Sequence, residues 1–173
     1  MFNGIILKTG TLKSIKKNSK SYFIGIQTKE IFYKKDVGSS ICCDGVCLTL
    51  TKIKGRIIYF YISVETIKRS NFKKLKIGRI INLEKSLTYG QKISGHYIQG
   101  HVDTTAKIKK IYFVDKSWII HLILKDNNLK KFLEEKGSIS INVVSLTISK
   151  VEKKYFQLKP IPHTLKLTNL KKL

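Results

Sequence analysis

The sequence predicts an all-β protein: two tandem six-stranded Greek-key barrels, the second lacking its last strand, with short helices. Three observations predict it. The chain repeats itself at a nearly constant offset, it is rich in short β-forming runs broken by turn residues, and one strand-like segment occurs in the first copy only. A length of 173 residues suits two small units of about 85 residues each.

The repeat is read directly. Residues 41–75 align without a gap to 139–173 at an offset of 98, with 11 identities in 35 pairs. ICCDGVCLTLTK (41–52) lies over ISINVVSLTISK (139–150), and ETIKRSNFKKL (65–75) over HTLKLTNLKKL (163–173). Upstream, GIILKTGTLKSI (4–15) matches GHVDTTAKIKKI (100–111) at an offset of 96. The joint falls near 86–94, which gives a first domain over 1–88 and a second over 95–173.

Element by element, ICCDGVCLTLTKI reads as strand around an Asp-Gly turn, and GRIIYFYISV as the next strand. DNNLKKFLEEK (126–136), apolar at 129, 132 and 133, predicts a short helix, with 66–75 as its counterpart in the first copy. After Leu75 the chain continues into GRIINLE, a clear strand, whereas the second copy stops at Leu173, the counterpart of Leu75. Many short strands must bury one face and dispose of their edges, which a small barrel does. The second copy is therefore expected to keep an open edge with unpaired backbone groups.

Composition narrows the function classes. The formal charge is +23, from 34 Lys and Arg against 11 Asp and Glu. Only three of the basic residues are Arg, and the 31 Lys are scattered from Lys8 to Lys172 alongside 26 Ile and a single Ala. Arg is the side chain suited to bidentate phosphate and base contacts, so this pattern reads as a solvated, compositionally biased surface and not as a specific nucleic-acid interface. An apolar fraction of 42% supports packed cores. No apolar run approaches the roughly 20 residues needed to cross a bilayer, and the N-terminus lacks the pattern of a secretory signal. A soluble cytoplasmic protein is expected. Three Cys, two of them adjacent at Cys42 and Cys43, make neither a disulfide framework nor paired zinc spacing. His96 and His101 lack a third ligand, so no metal is expected.

Six segments in order, MFNGII (1–6), DGVCLT (44–49), SGHYIQGHVD (94–103), KGSI (136–139), VSLT (144–147) and IPHTL (161–165), resemble riboflavin synthase, the two-barrel family that forms trimers. The resemblance spans essentially the whole chain. It implies a dismutation in which one 6,7-dimethyl-8-ribityllumazine gives a four-carbon unit to another, leaving riboflavin and a pyrimidinedione, with no cofactor. It implies a homo-oligomer in which one barrel's pocket faces the other type of barrel of a neighbour.

Carried over by position, the resemblance implies a first pocket of Ser40, Gly45, Val46, Cys47, Thr49, Glu65 and Thr66, and a second of Lys136, Ser145, Thr147, Ile161 and Thr164. Phe2 and Gly4 belong to the first site, and Gly4, Gly10 and Gly100 also read as backbone-geometry positions. Cys47, His101 and Ser145 are the expected catalytic residues: a thiol that adds to or positions the ring, a base for the activated methyl group, and the hydroxyl aligned with Cys47 in the repeat. Plainer readings stand beside these. Cys47 and the two Thr residues also suit a β core, His96 and His121 read as structural, and Cys42 and Cys43 as core and surface fillers. Two departures stand out: Asn142-Val143 replaces the family's Asp-Gly, which is expected to reshape the second pocket, and the family's further strand, acidic residue and trimer helix have no counterpart after IPHTL. Three functions follow: an active synthase, a lumazine or riboflavin binder without turnover, and a basic nucleic-acid-binding barrel.

Overall fold

Alternating apolar residues close the first copy into a barrel. The computed structural model describes residues 1–18, 20–115 and 117–172. The first copy holds β1 (Lys8–Asn18), β2 (Ser21–Thr28), β3 (Ser40–Cys43), β4 (Val46–Lys54), β5 (Ile57–Ile62) and β6 (Ile80–Lys85), with helix α1 (Val64–Arg69) between β5 and β6. They pair antiparallel in the order β1-β2-β5-β4-β3-β6, and β6 returns to β1. Leu12, Ile24, Ile26, Leu48, Leu50, Ile58, Phe60, Ile81 and Leu83 point inward. Their period of two leaves every other side chain facing out, which fixes the register.

The second copy repeats the plan with one strand fewer. Its strands are β7 (Ala106–Val114), β8 (Ser117–Leu124), β9 (Ser138–Ile141), β10 (Val144–Val151) and β11 (Phe156–Leu158), followed by helix α2 (Pro162–Leu167). They form a five-stranded sheet in the order β7-β8-β11-β10-β9, so among the described residues β7 and β9, the equivalents of β1 and β3, each keep one unpaired edge. Among the described residues, the core inside this sheet is Ile120, Leu122, Ile148, Phe156 and Leu158, while Val144, Leu165 and Leu170, the equivalents of Val46, Ile67 and Phe72 of the first core, pack between the copies. A second sign lies in an asparagine pair. Asn169 is held by Asn82 of β6, while Oδ1 of its repeat equivalent Asn71 is buried with no hydrogen-bond partner among the described residues. Leu173, the expected counterpart of Leu75, lies outside the described residues.

Two sequence expectations need correction. Residues 127–132 form a 3-10 turn, but its partner in the first copy is the 3-10 turn at 34–36 and not 66–75. Helix α1 and the 3-10 turn after it (71–74) instead match α2 and the turn at 169–172. Six-residue helices carry too little apolar periodicity to be paired by pattern alone. Cys43 lies in the first core and Cys42 in the packing between the two copies, so neither is a surface filler.

The two copies meet around a local twofold relation. Phe2 and Ile98, equivalent at the offset of 96, form a reciprocal bridge: Phe2 N–H donates to Ile98 O at 2.8 Å and Ile98 N–H to Phe2 O at 2.9 Å. Phe2, Ile6, Cys42, Ile98, Val143, Val144, Leu165 and Leu170 pack into a dry cluster there. Beside it lies a buried polar knot. Asp44 Oδ1 accepts from the Asn82 N–H at 2.8 Å and from Asn169 Nδ2 at 2.7 Å, and its Oδ2 accepts from Arg79 Nη2 at 2.9 Å. Asn82 Nδ2 in turn donates to Asn142 O at 2.9 Å, which ties the turn of one copy to that of the other. Burial pushes the Asp44 carboxyl up to about 6, although Arg79 and the amide donors pull the other way.

Candidate functional site

The hairpin β3–β4 is closed by a two-residue turn, Asp44-Gly45, both at positive φ (48° and 88°). Its register pairs Cys42 with Cys47 and Ser40 with Thr49. Because Val46, Leu48 and Leu50 point into the barrel, Cys47 and Thr49 face the other way, in line with Ser40 and Cys42. The second copy reproduces this face in oxygen: Ser145 pairs with Ser140 and Thr147 with Ser138.

Each face is covered by the leading segment of the other copy. Cys47 N–H donates to Gly100 O at 2.7 Å, and Ser145 N–H to Gly4 O at 2.9 Å. These contacts are equivalents of each other under the repeat. Both glycines have φ near +80° (76° and 81°) and both lie flat against the strand: a Cβ on Gly100 would stand 2.7 Å from Cys47 Cβ, and one on Gly4 would stand 2.6 Å from Ser145 N. Gly4 is further fixed by Glu84, whose carboxylate accepts from the Asn3 N–H at 2.8 Å and the Gly4 N–H at 3.0 Å. Burial raises the Glu84 carboxyl, while those two N–H groups lower it.

The predicted residues fall into several settings. Ser40, Cys47 and Thr49 share the first face, with His101, which is exposed, next to the Gly100 contact. Ser145 and Thr147 share the second, and Phe2 and Gly4 sit at the junction. Gly45 stands against the Asn142-Val143 turn, 3.3 Å from Val143 N to a Cβ built on it. Val46 places its side chain in the first core, leaving only its backbone to the face. Lys136 stands exposed at φ +67°, the place that Gly38 holds in the first copy, with its N–H on Ile148 O at 2.8 Å. Glu65 and Thr66 lie on α1, Ile161 caps α2 and is exposed, and Thr164 accepts at its carbonyl from Thr168 Oγ1 at 2.8 Å. Among the described residues no hydrogen bond joins either helix to the strand faces. Glu65 pairs with Arg69 across one helical turn, both mostly exposed, and that partner lowers its pKa. Glu65→Ala is expected to leave the urea midpoint of unfolding essentially unchanged.

Two findings go beyond the sequence reading. Val143 takes φ +65° and Asn142 +48°, and the Val143 side chain is fully buried between the copies, so the replacement of Asp-Gly builds the junction. His96, read from sequence as structural, shares a 2.7 Å hydrogen bond between its Nδ1 and Ser145 Oγ, and burial lowers its pKa so that the neutral ring is favoured. The His96 N–H donates to Asn3 O at 3.2 Å, beside the contact of Ser145 with Gly4. A shallow surface groove of about 440 Å³, lined by Lys34, Val37, Thr51, Lys52 and Ile53, includes none of the predicted site residues. Among the described residues no helix is long and apolar enough to cross a membrane.

The comparisons with known proteins agree with this geometry. The family model of the lumazine binding domain matches twice, at residues 3–86 and 99–173. The riboflavin synthase of Buchnera aphidicola subsp. Schizaphis graminum is 36% identical over 171 residues, covering 98% of this chain and 82% of that protein. That of Bacillus subtilis is 36% identical over 169 residues, covering 97% and 78%, and that of Escherichia coli 33% over 174 residues, covering 99% and 81%. Among solved structures, LumP complexed with riboflavin superposes with a TM-score of 0.86 at 26% identity, covering 100% of this chain and 94% of the other. LumP complexed with 6,7-dimethyl-8-(1'-D-ribityl) lumazine shares the fold, with a TM-score of 0.85 at 24% identity over 100% and 93%.

Proposed function

The chain belongs to the riboflavin synthase family of paired lumazine-binding domains, and from that membership we propose that it converts two molecules of 6,7-dimethyl-8-ribityllumazine into riboflavin and 5-amino-6-ribitylaminopyrimidinedione. One observation carries the reading: the two faces, Ser40–Cys47–Thr49 and Ser138–Ser145–Thr147, are equivalent in register, and each is backed by a glycine of the other copy. A reaction between two identical molecules needs two like sites. Holding both reactants in place removes a large entropic barrier, roughly 7–11 kcal/mol in good model systems.

In this reading the hydroxyls of Ser40 and Thr49, with that of Thr66, hold the ribityl chain of one lumazine, and Thr147 and Thr164 serve the second. Cys47 supplies a half-buried thiol for addition to, or positioning of, the ring. His101, free of any packing role at its exposed position, takes the proton from the activated methyl group. Ser145 stands where Cys47 stands in the first copy, its hydroxyl held by neutral His96. The two substrates meet when the first face of one copy approaches the second face of another, as a homo-oligomer of the family kind would allow.

A second reading, binding without turnover, has its own support. The LumP structure holding riboflavin superposes on the whole chain, and the second sheet keeps open edges where the first is closed. Incubation with the lumazine alone separates the two. Riboflavin formation is expected, with turnover about 100-fold lower for His101→Gln, the low end of a general base's contribution, and affinity little changed. Tight lumazine binding with no riboflavin establishes the second reading instead, and a protein that binds neither compound sinks both.

A further inference from the structure

We infer that Cys42 and Cys47 form a reversible intrachain disulfide across the β3–β4 hairpin when the protein meets a peroxide, making Cys47 an oxidative modification site. The hairpin sets this up. With Asp44 and Gly45 as the two turn residues, Cys43 and Val46 are the closing pair, so Cys42 and Cys47 are the next pair and lie directly opposite. The Cys47 N–H goes to Gly100 O and not across the hairpin, which marks a non-hydrogen-bonded pair. At such sites the Cα atoms stand about 4.5 Å apart with side chains on one face. Disulfides span Cα separations of about 4.4–6.8 Å, so the bond forms without breaking the ladder. Both thiols border the same apolar cluster between the copies, whereas Cys43 turns into the first barrel and is out of reach. The second copy carries the oxygen version of the pair, Ser140 opposite Ser145, so the place tolerates polar side chains of this size.

The order of events follows from exposure. Cys42 is fully buried and burial holds its thiol protonated, while Cys47 is half-buried and reachable. The Cys47 thiolate attacks one peroxide oxygen, the O–O bond breaks, and Cys47 becomes a sulfenic acid with release of hydroxide. The Cys42 sulfur then attacks the Cys47 sulfur, the S–O bond breaks, and the oxygen departs as water with the Cys42 proton. Two thiols are oxidised, one peroxide is reduced to two waters, and an external dithiol restores the pair. The inference stands on the hairpin alone and is independent of the proposed reaction.

The test is hydrogen peroxide added to the folded chain, followed by denaturation, alkylation and intact mass measurement. The expected product has lost two hydrogens, takes up a single alkyl group, on Cys43, and returns to three alkylated thiols after dithiothreitol. Cys43→Ser should lose the same two hydrogens and take up none. Cys42→Ser should lose none and gain oxygen at Cys47. Oxygen gain at Cys47 in the unaltered chain without hydrogen loss, or disappearance of the disulfide in Cys43→Ser, would overturn the inference. The unaltered chain and Cys43→Ser decide the matter even if Cys42→Ser does not fold.

Discussion

Gly100→Ala is expected to destabilise the protein by about 2–5 kcal/mol, and Gly4→Ala by a similar amount. Two costs add. A Cβ at positive φ costs about 1–2 kcal/mol, and forcing a methyl group into filled space costs about 1–3 kcal/mol more. At Gly100 the new Cβ meets Cys47 Cβ at 2.7 Å, Phe2 Cε2 at 3.0 Å and Cys47 N at 3.1 Å; at Gly4 it meets Ser145 N at 2.6 Å. Strand backbone and a fully buried ring cannot give way as a flexible side chain would. Gly55 and Gly78 are internal controls, since both have positive φ (58° and 89°) with no atom within 4 Å. Alanine there should cost only the conformational part. Urea midpoints for the four variants measure the difference, and equal losses at all four sites would show that the interlocked segments carry no packing constraint.

Asp44→Ala is expected to cost about 3 kcal/mol at neutral pH. It strips the acceptor from the Asn82 N–H and from one contact of Asn169 Nδ2, two donors out of reach of water, at about 1–3 kcal/mol each. Asn169 Nδ2 retains Ile80 O at 3.0 Å, and partly exposed Arg79 can turn to solvent, which keeps the loss below the sum. The pH dependence gives a sharper readout. Because burial raises the folded-state pKa from 3.8 to about 6, the protonated acid favours the folded chain. That contribution is complete below pH 3.8 and disappears as the pH rises through 6. At about 1.4 kcal/mol per pKa unit it amounts to about 3 kcal/mol. The stability of the unaltered chain minus that of Asp44→Asn, which cannot ionise, should therefore rise by most of that amount between pH 7 and pH 4. A flat difference would mean that Asp44 stays ionised in the fold.

Much of the architecture was legible because both copies solve the same burial problem. The period of two in VCLTLTKI and its twin VSLTISKV announces one inward and one outward face, and so gives the Cys47–Ser145 correspondence. The short helices were paired wrongly because six residues hold no distinctive periodicity. The exchange of leading segments was not legible at all: Gly4 and Ser145 are far apart in sequence, and nothing local to either marks the contact. The change of offset from 96 to 98 marks only a two-residue difference between the β2–β3 and β8–β9 loops. Asp44 was legible as a turn residue through its neighbour Gly45. Its burial was not, because the groups that bury it come from β6 and from the end of the other copy.

The exchanged segments also put the two copies on different clocks. Residues 1–7 are made well before the strand that receives Gly4, the one carrying Ser145. Closure of the first barrel needs nothing beyond β6, so that unit can form while synthesis continues. Its own leader must wait, holding Phe2 uncovered until the second copy arrives. Assembly is completed by the mutual docking of two nearly finished units, through contacts of very long sequence separation.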